Sequence, residues 1–142
     1  MKILRASIAI LFVLLVVGQS LPHLRYDYYD IDEAIIENGF DIIIGWILTV
    51  VGVLATTLSV IRNHVTALLG SLFFVINLLL ASFVLYMLAL ERFMLYDSTV
   101  QLGPYVSFVL CLALVIISII NTVKSFQGKP KKTSADVLDE LL

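Results

Sequence analysis

Three uninterrupted apolar stretches constrain this chain more than any other feature. Residues 42–61, 65–90 and 104–123 contain no Asp, Glu, Lys or Arg over 20, 26 and 20 positions. A helix advances about 1.5 Å per residue, so roughly 20 apolar residues cross the hydrocarbon core of a bilayer. The second stretch is longer than that and has to tilt or project. Of the 142 residues, 61% are apolar and 14% charged, which is more hydrocarbon than one soluble core of this size encloses. The same composition is the reverse of a disordered chain, which is poor in apolar residues and highly charged.

A fourth apolar stretch, residues 6–22, has two readings. Met1-Lys2-Ile3-Leu4-Arg5 followed by an apolar run resembles the start of a secretory signal, and Gly18-Gln19-Ser20 offers small residues near a cleavage spacing. Ile3 and Leu4 lengthen the apolar run, however, and the small-residue signature is imperfect. The expected class is therefore all-α: a polytopic bundle of four transmembrane helices over residues 1–123, with helices near 6–22, 42–61, 65–90 and 104–123. Residues 124–142 form a tail. Cleavage of the first segment would leave three helices.

Charge sorting sets an orientation, because Lys and Arg are enriched on the cytoplasmic side of short loops. Alternating segments place Lys2, Arg5, Arg62, Lys124, Lys129, Lys131 and Lys132 with Asp136, Asp139 and Glu140 on one side, a net +4. Arg25 and Arg92 share the other side with eight carboxylates, a net −6. Both termini are expected in the cytoplasm. Only Arg62, Asn63 and His64 separate the second and third spans, so these must form an antiparallel hairpin. Trp46, Tyr86, Tyr96 and Tyr105 fall near the outer boundary, where amphipathic rings prefer to sit.

Helices in lipid associate through small residues and occasional hydrogen bonds. On the second span Gly45, Thr49, Gly52, Thr56 and Ser59 recur at steps of four and three, which puts them on one face. Gly70, Ser71, Asn77, Ala81 and Ser82 on the third span, and Ser107, Cys111, Ser118 and Thr122 on the last, are poorer versions. Asn77 is the strongly polar side chain expected deepest in the bilayer, where an amide bonds to a neighbouring helix.

Catalytic chemistry has little to build on. Ion-coupled carriers place ionisable groups inside the bilayer, and the three clear spans have none. Cys111 is alone, so there is no disulfide framework or CxxC pair. His23 and His64 are expected on opposite sides of the membrane and cannot share an ion. No metal, no cofactor and no enzymatic activity are expected.

Two regions are left to carry function. The first outer loop, from Arg25 to Asp41, holds six carboxylates together with Tyr26, Tyr28 and Tyr29. Ile31, Ala34, Ile35 and Ile36 are expected on the membrane side of a short amphipathic helix ended by Asn38-Gly39. Three readings compete for the loop: a solvated lid over the bundle, a docking surface formed by Tyr26, Tyr28, Tyr29, Asp30, Asp32 and Glu33, and divalent-cation binding, for which the full calcium-loop pattern is absent. In the tail, Val137, Leu138, Leu141 and Leu142 share one face of a helix too short to stand alone. The expected function is a non-catalytic accessory or scaffold subunit of a cell-membrane complex, surrounded by lipid, contacting other membrane subunits and no nucleic acid. The alternative is a small homo-oligomeric channel or carrier for a neutral or lipid-like solute, lined by Thr49, Thr56, Asn77 and Ser118.

Overall fold

A computed structural model describes residues 1–26, 35–61, 63–94 and 98–128. The chain is mostly helical, with four helices long and apolar enough to cross a membrane. They are α1 (Lys2–Gln19), α2 (Ile43–Val60), α3 (His64–Met94) and α4 (Gly103–Gln127). They pack as a ring in which α1 rests mainly on α4, α2 on α3 and α3 on α4, with a smaller α1–α2 contact closing the circle.

Local chemistry explains the ends. α1 stops three residues before the expected boundary, because the chain tightens through Ser20 N–H to Val17 O and Leu21 N–H to Gly18 O and then meets Pro22. Asn63 starts α3, its side-chain oxygen accepting Val65 N–H at 3.0 Å. At 31 residues, α3 is about 46 Å long, and it runs past Leu90 through Glu91 and Arg92. α4 opens with Pro104 in its first turn, where a missing N–H costs nothing. It continues beyond residue 123 and ends at Gly128.

The bundle is apolar outside and partly polar inside. Leu79, Val109 and Ile10 are more than 60% exposed on the outer faces, whereas Asn77, Asn121 and Ser59 are fully enclosed. Water disfavours such an outer surface and lipid accepts it, which points to an integral membrane protein. Ile8, Leu15, Phe74 and Leu114 fill the core between the helices.

The expectation of an all-α chain is corrected at one end. β1 (Pro22–Tyr26), β2 (Ile35–Asn38) and β3 (Ser98–Val100) form a three-stranded antiparallel sheet in the order β2-β1-β3. Ile35 and Ile36 therefore lie in a strand and not on one side of an amphipathic helix. Successive strand residues project to opposite faces, and β-branched isoleucines favour that geometry. Asn38-Gly39 does terminate the element, through a turn: Asn38 Oδ1 accepts Phe40 N–H at 2.9 Å and Asp41 Oδ2 accepts Asn38 N–H at 2.8 Å.

Register identifies a bulge. Pro22 pairs with Asn38 and Leu24 with Glu37, so His23 is an extra residue on β1. Its insertion breaks the alternation, and His23 and Leu24 are both buried against the bundle. Across the outer face of the sheet, Ile36, Arg25 and Thr99 form one exposed row.

Candidate functional site

The sheet and the helices meet at a small polar pocket. α1 ends on Gln19, 1% exposed, whose amide N–H donates to Ser107 Oγ on α4 at 2.9 Å. The Gln19 backbone carbonyl accepts Gly39 N–H at 2.7 Å, tying the end of α1 to the turn that enters α2. His23 is 2% exposed, and its Nδ1 lies 2.8 Å from the Leu21 carbonyl. Its backbone carbonyl accepts Gln101 N–H at 2.9 Å, which brings in the segment leading to α4.

Glycines make this convergence possible. A Cβ at Gly39 would run into the Gln19 amide oxygen and lie 2.8 Å from His23 Cε1. One at Gly103 would run into His23 Nδ1 and lie 2.7 Å from the Pro22 carbonyl. One at Gly45 would strike the Gly39 carbonyl. The imidazole is thus clasped between two α-carbons, leaving a cavity of about 10 Å³ bordered by Gln19, His23, Gly39, Gly45, Pro104 and Ser107. That volume suits a single water. Burial pushes the His23 imidazole below its ordinary value of 6.5, opposed in smaller measure by the Leu21 carbonyl.

A second polar region runs toward the chain termini. The Gly45, Thr49, Gly52, Thr56 and Ser59 face of α2 turns inward, with Gly45, Gly52 and Ser59 buried and the threonines half-buried. A Cβ at Gly52 would run into the Phe12 ring of α1 and lie 3.1 Å from Asn77 Nδ2 on α3. Below it, Gly70 of α3 meets α2 so closely that a Cβ would lie 2.9 Å from both Ala55 O and Ser59 N. The face is therefore consumed inside this chain. Thr49 Oγ1 bonds Gly45 O at 3.0 Å and Ser118 Oγ bonds Val115 O at 2.9 Å, each within its own helix. Thr56 Oγ1, Ser59 Oγ, Asn121 Oδ1 and both amide atoms of Asn77 find no partner among the described residues.

Asn77 does not stand alone as a deep amide. Asn121 is equally enclosed and donates to Ser59 O at 3.2 Å, while Thr122 Oγ1 donates to Ala67 O at 2.9 Å. His64, the first residue of α3, packs edge-on against Phe126, ring centres 5.2 Å apart.

The remaining expectations divide. Tyr26 closes β1. Tyr28, Tyr29, Asp30, Asp32, Glu33, Leu138, Leu141 and Leu142 lie outside the described residues. Among the described residues, no three His, Cys, Asp or Glu side chains converge as metal ligands do. The sheet-end pocket was not anticipated, although Gln19 interrupting an apolar run and glycines at 39, 45 and 103 were its signals. Compared with known protein families, curated proteins and solved structures, the chain matches none.

Proposed function

We propose that the chain is a non-catalytic accessory or scaffold subunit of the cell membrane, its four helices retained and both termini cytoplasmic. The bundle serves as a rigid pedestal, and the sheet with the acidic, tyrosine-rich connection between β1 and β2 is the surface offered to partner subunits. The observation that carries this reading is the filled interior at Gly52, where the Phe12 ring and the Asn77 amide occupy the space beside the α-carbon. A protein whose interior is filled acts through its surfaces, and the row Ile36, Arg25 and Thr99 is exposed on the side away from the bundle. Burial of Ile8 and Leu15 against the other helices supports keeping α1 in the mature chain.

Purification in mild detergent followed by native mass measurement tests this. Foreign subunits in fixed stoichiometry are the expected result, and a pure homo-oligomer would overturn it.

One observation favours a second reading. The unpartnered atoms of Asn77, Thr56, Ser59 and Asn121 are what a path for a neutral polar solute would use. Solute-dependent swelling of vesicles containing the purified chain alone would support that path.

A further inference from the structure

We propose that His23 is a proton-operated latch, which holds the sheet end shut while the ring is neutral and releases it once the ring is charged. Geometry makes the residue singular. His23 is the inserted residue of the β1 bulge, and the bulge is what turns its side chain inward. The ring fills the space between Gly39, in the turn that enters α2, and Gly103, the first residue of α4. Because His23 itself follows directly from α1, one imidazole clasps the ends of three helices.

The neutral ring suits this place and the charged ring does not. Nδ1 faces the Leu21 carbonyl at 2.8 Å, so Nδ1 carries the proton of the neutral tautomer and a second proton would go to Nε2. The charged form would sit enclosed beside the first residues of α4, whose unpaired N–H groups make that helix end positive. Among the described residues, the elements around the ring offer no counter-charge in contact with it. α1 contributes Gln19, α4 contributes Ser107, and the chain after β3 contributes Gln101, all neutral. Of the charged groups on β1, β2 and the turn, Arg25 and Asp41 are exposed and Glu37 is half-buried, and Asp41 Oδ2 is engaged by Asn38 N–H. Once released, an imidazolium is favoured by the acid-rich sequence between residues 27 and 41.

Burial lowers the folded-state value below 6.5. The stability contributed by neutral His23 is thus fully present above 6.5 and is lost as pH falls from there through the lowered value. The bonds that should open first are Gly39 N–H to Gln19 O and Gln101 N–H to His23 O.

Hydrogen exchange on the full chain in lipid nanodiscs tests this at about pH 7.5 and about pH 5, with rates corrected for intrinsic chemistry. The Gly39 and Gln101 amides should lose protection by up to about tenfold per pH unit below 6.5, while amides around Asn77 hold theirs. His23→Asn keeps a short donor for Leu21 O without titrating and should abolish the response. Unchanged protection in the wild type, or the same loss in His23→Asn, overturns the latch. Should His23→Asn not fold, His64→Asn leaves His23 as the one histidine of the chain. Its ring resonance must then titrate over the same pH interval in which the two amides open; a separate interval overturns the latch equally.

Discussion

Replacing Gly70 by alanine tests whether α2 and α3 are in contact through their backbones. The added Cβ would run into Ser59 Oγ and lie 2.9 Å from Ala55 O and from Ser59 N. The hydroxyl can rotate aside, but the two backbone atoms cannot, so the helices must part by about half an ångström to restore ordinary contact. A radial gap of 0.5–1 Å forfeits roughly a quarter or more of each dispersion well, and the contacts of one Leu-sized group then lose about 1–3 kcal/mol. Overpacked cores lose a similar amount. Alanine returns up to about 1 kcal/mol through helix propensity, leaving a net loss of about 0.5–2 kcal/mol. Gly52→Ala is the internal control, because the atoms its Cβ meets are all side-chain atoms, of Phe12 and Asn77. That change should cost less than about 1 kcal/mol. Reversible unfolding in bicelles, followed by separation of labels on α2 and α3, measures both. A Gly70→Ala protein as stable as the wild type, or a Gly52→Ala protein less stable than Gly70→Ala, would refute close backbone contact at Gly70.

Three further outcomes follow from the same geometry. Asn77→Ala removes an amide with no partner among the described residues, and since such a group costs about 1–3 kcal/mol to bury, the variant should unfold no more easily than Asn121→Ala, which loses its bond to Ser59 O; the opposite ranking in the bicelle assay would show that Asn77 is bonded after all. Asn63→Ala deletes the cap on Val65 N–H and should cost about 0.5–2 kcal/mol, seen as faster amide exchange in the first turn of α3 and nowhere else. Acid should lower unfolding stability of the wild type from 6.5 downward more steeply than that of His23→Asn, and parallel curves in the two proteins would exclude a contribution from His23.

Much of the helical framework could be read in advance because a missing charge is a long-range signal that needs no partner. The spans at 42–61 and 104–123 differ from α2 and α4 mainly at their ends. α3 overruns its apolar stretch because the helical backbone continues past Leu90 to Met94, and a missing charge marks a span but not where its helix ends. The inward face of α2 was visible in its spacing of four and three, and Gly70 in a poorer face of the third span, whereas their pairing, and that of Gly52 with Phe12, was not, since nothing in one helix reports the rotation of another. The sheet escaped for a different reason. Its strands have five, four and three residues, too few for an alternating pattern, and the His23 bulge interrupts the longest of them. Pairing joins Leu24 both to Glu37 and to Val100, contacts that depend on the bundle bringing two loops together. The pocket is hidden in the same way: Gln19, His23, Gly39, Gly103 and Ser107 come from three separate stretches of the chain, and each alone is an ordinary residue.

The ring order of the helices also sets a timetable for biogenesis. α1 is the first of the four described helices to be synthesised, yet its principal neighbour is α4, the last of the four. Until then the Gln19 amide lacks Ser107 and the β1 strand lacks β3. The nascent chain can assemble the α2–α3 hairpin early, while its first helix has only the smaller α2 contact until α4 is made. A truncation before residue 103 would leave that helix permanently without its main dock.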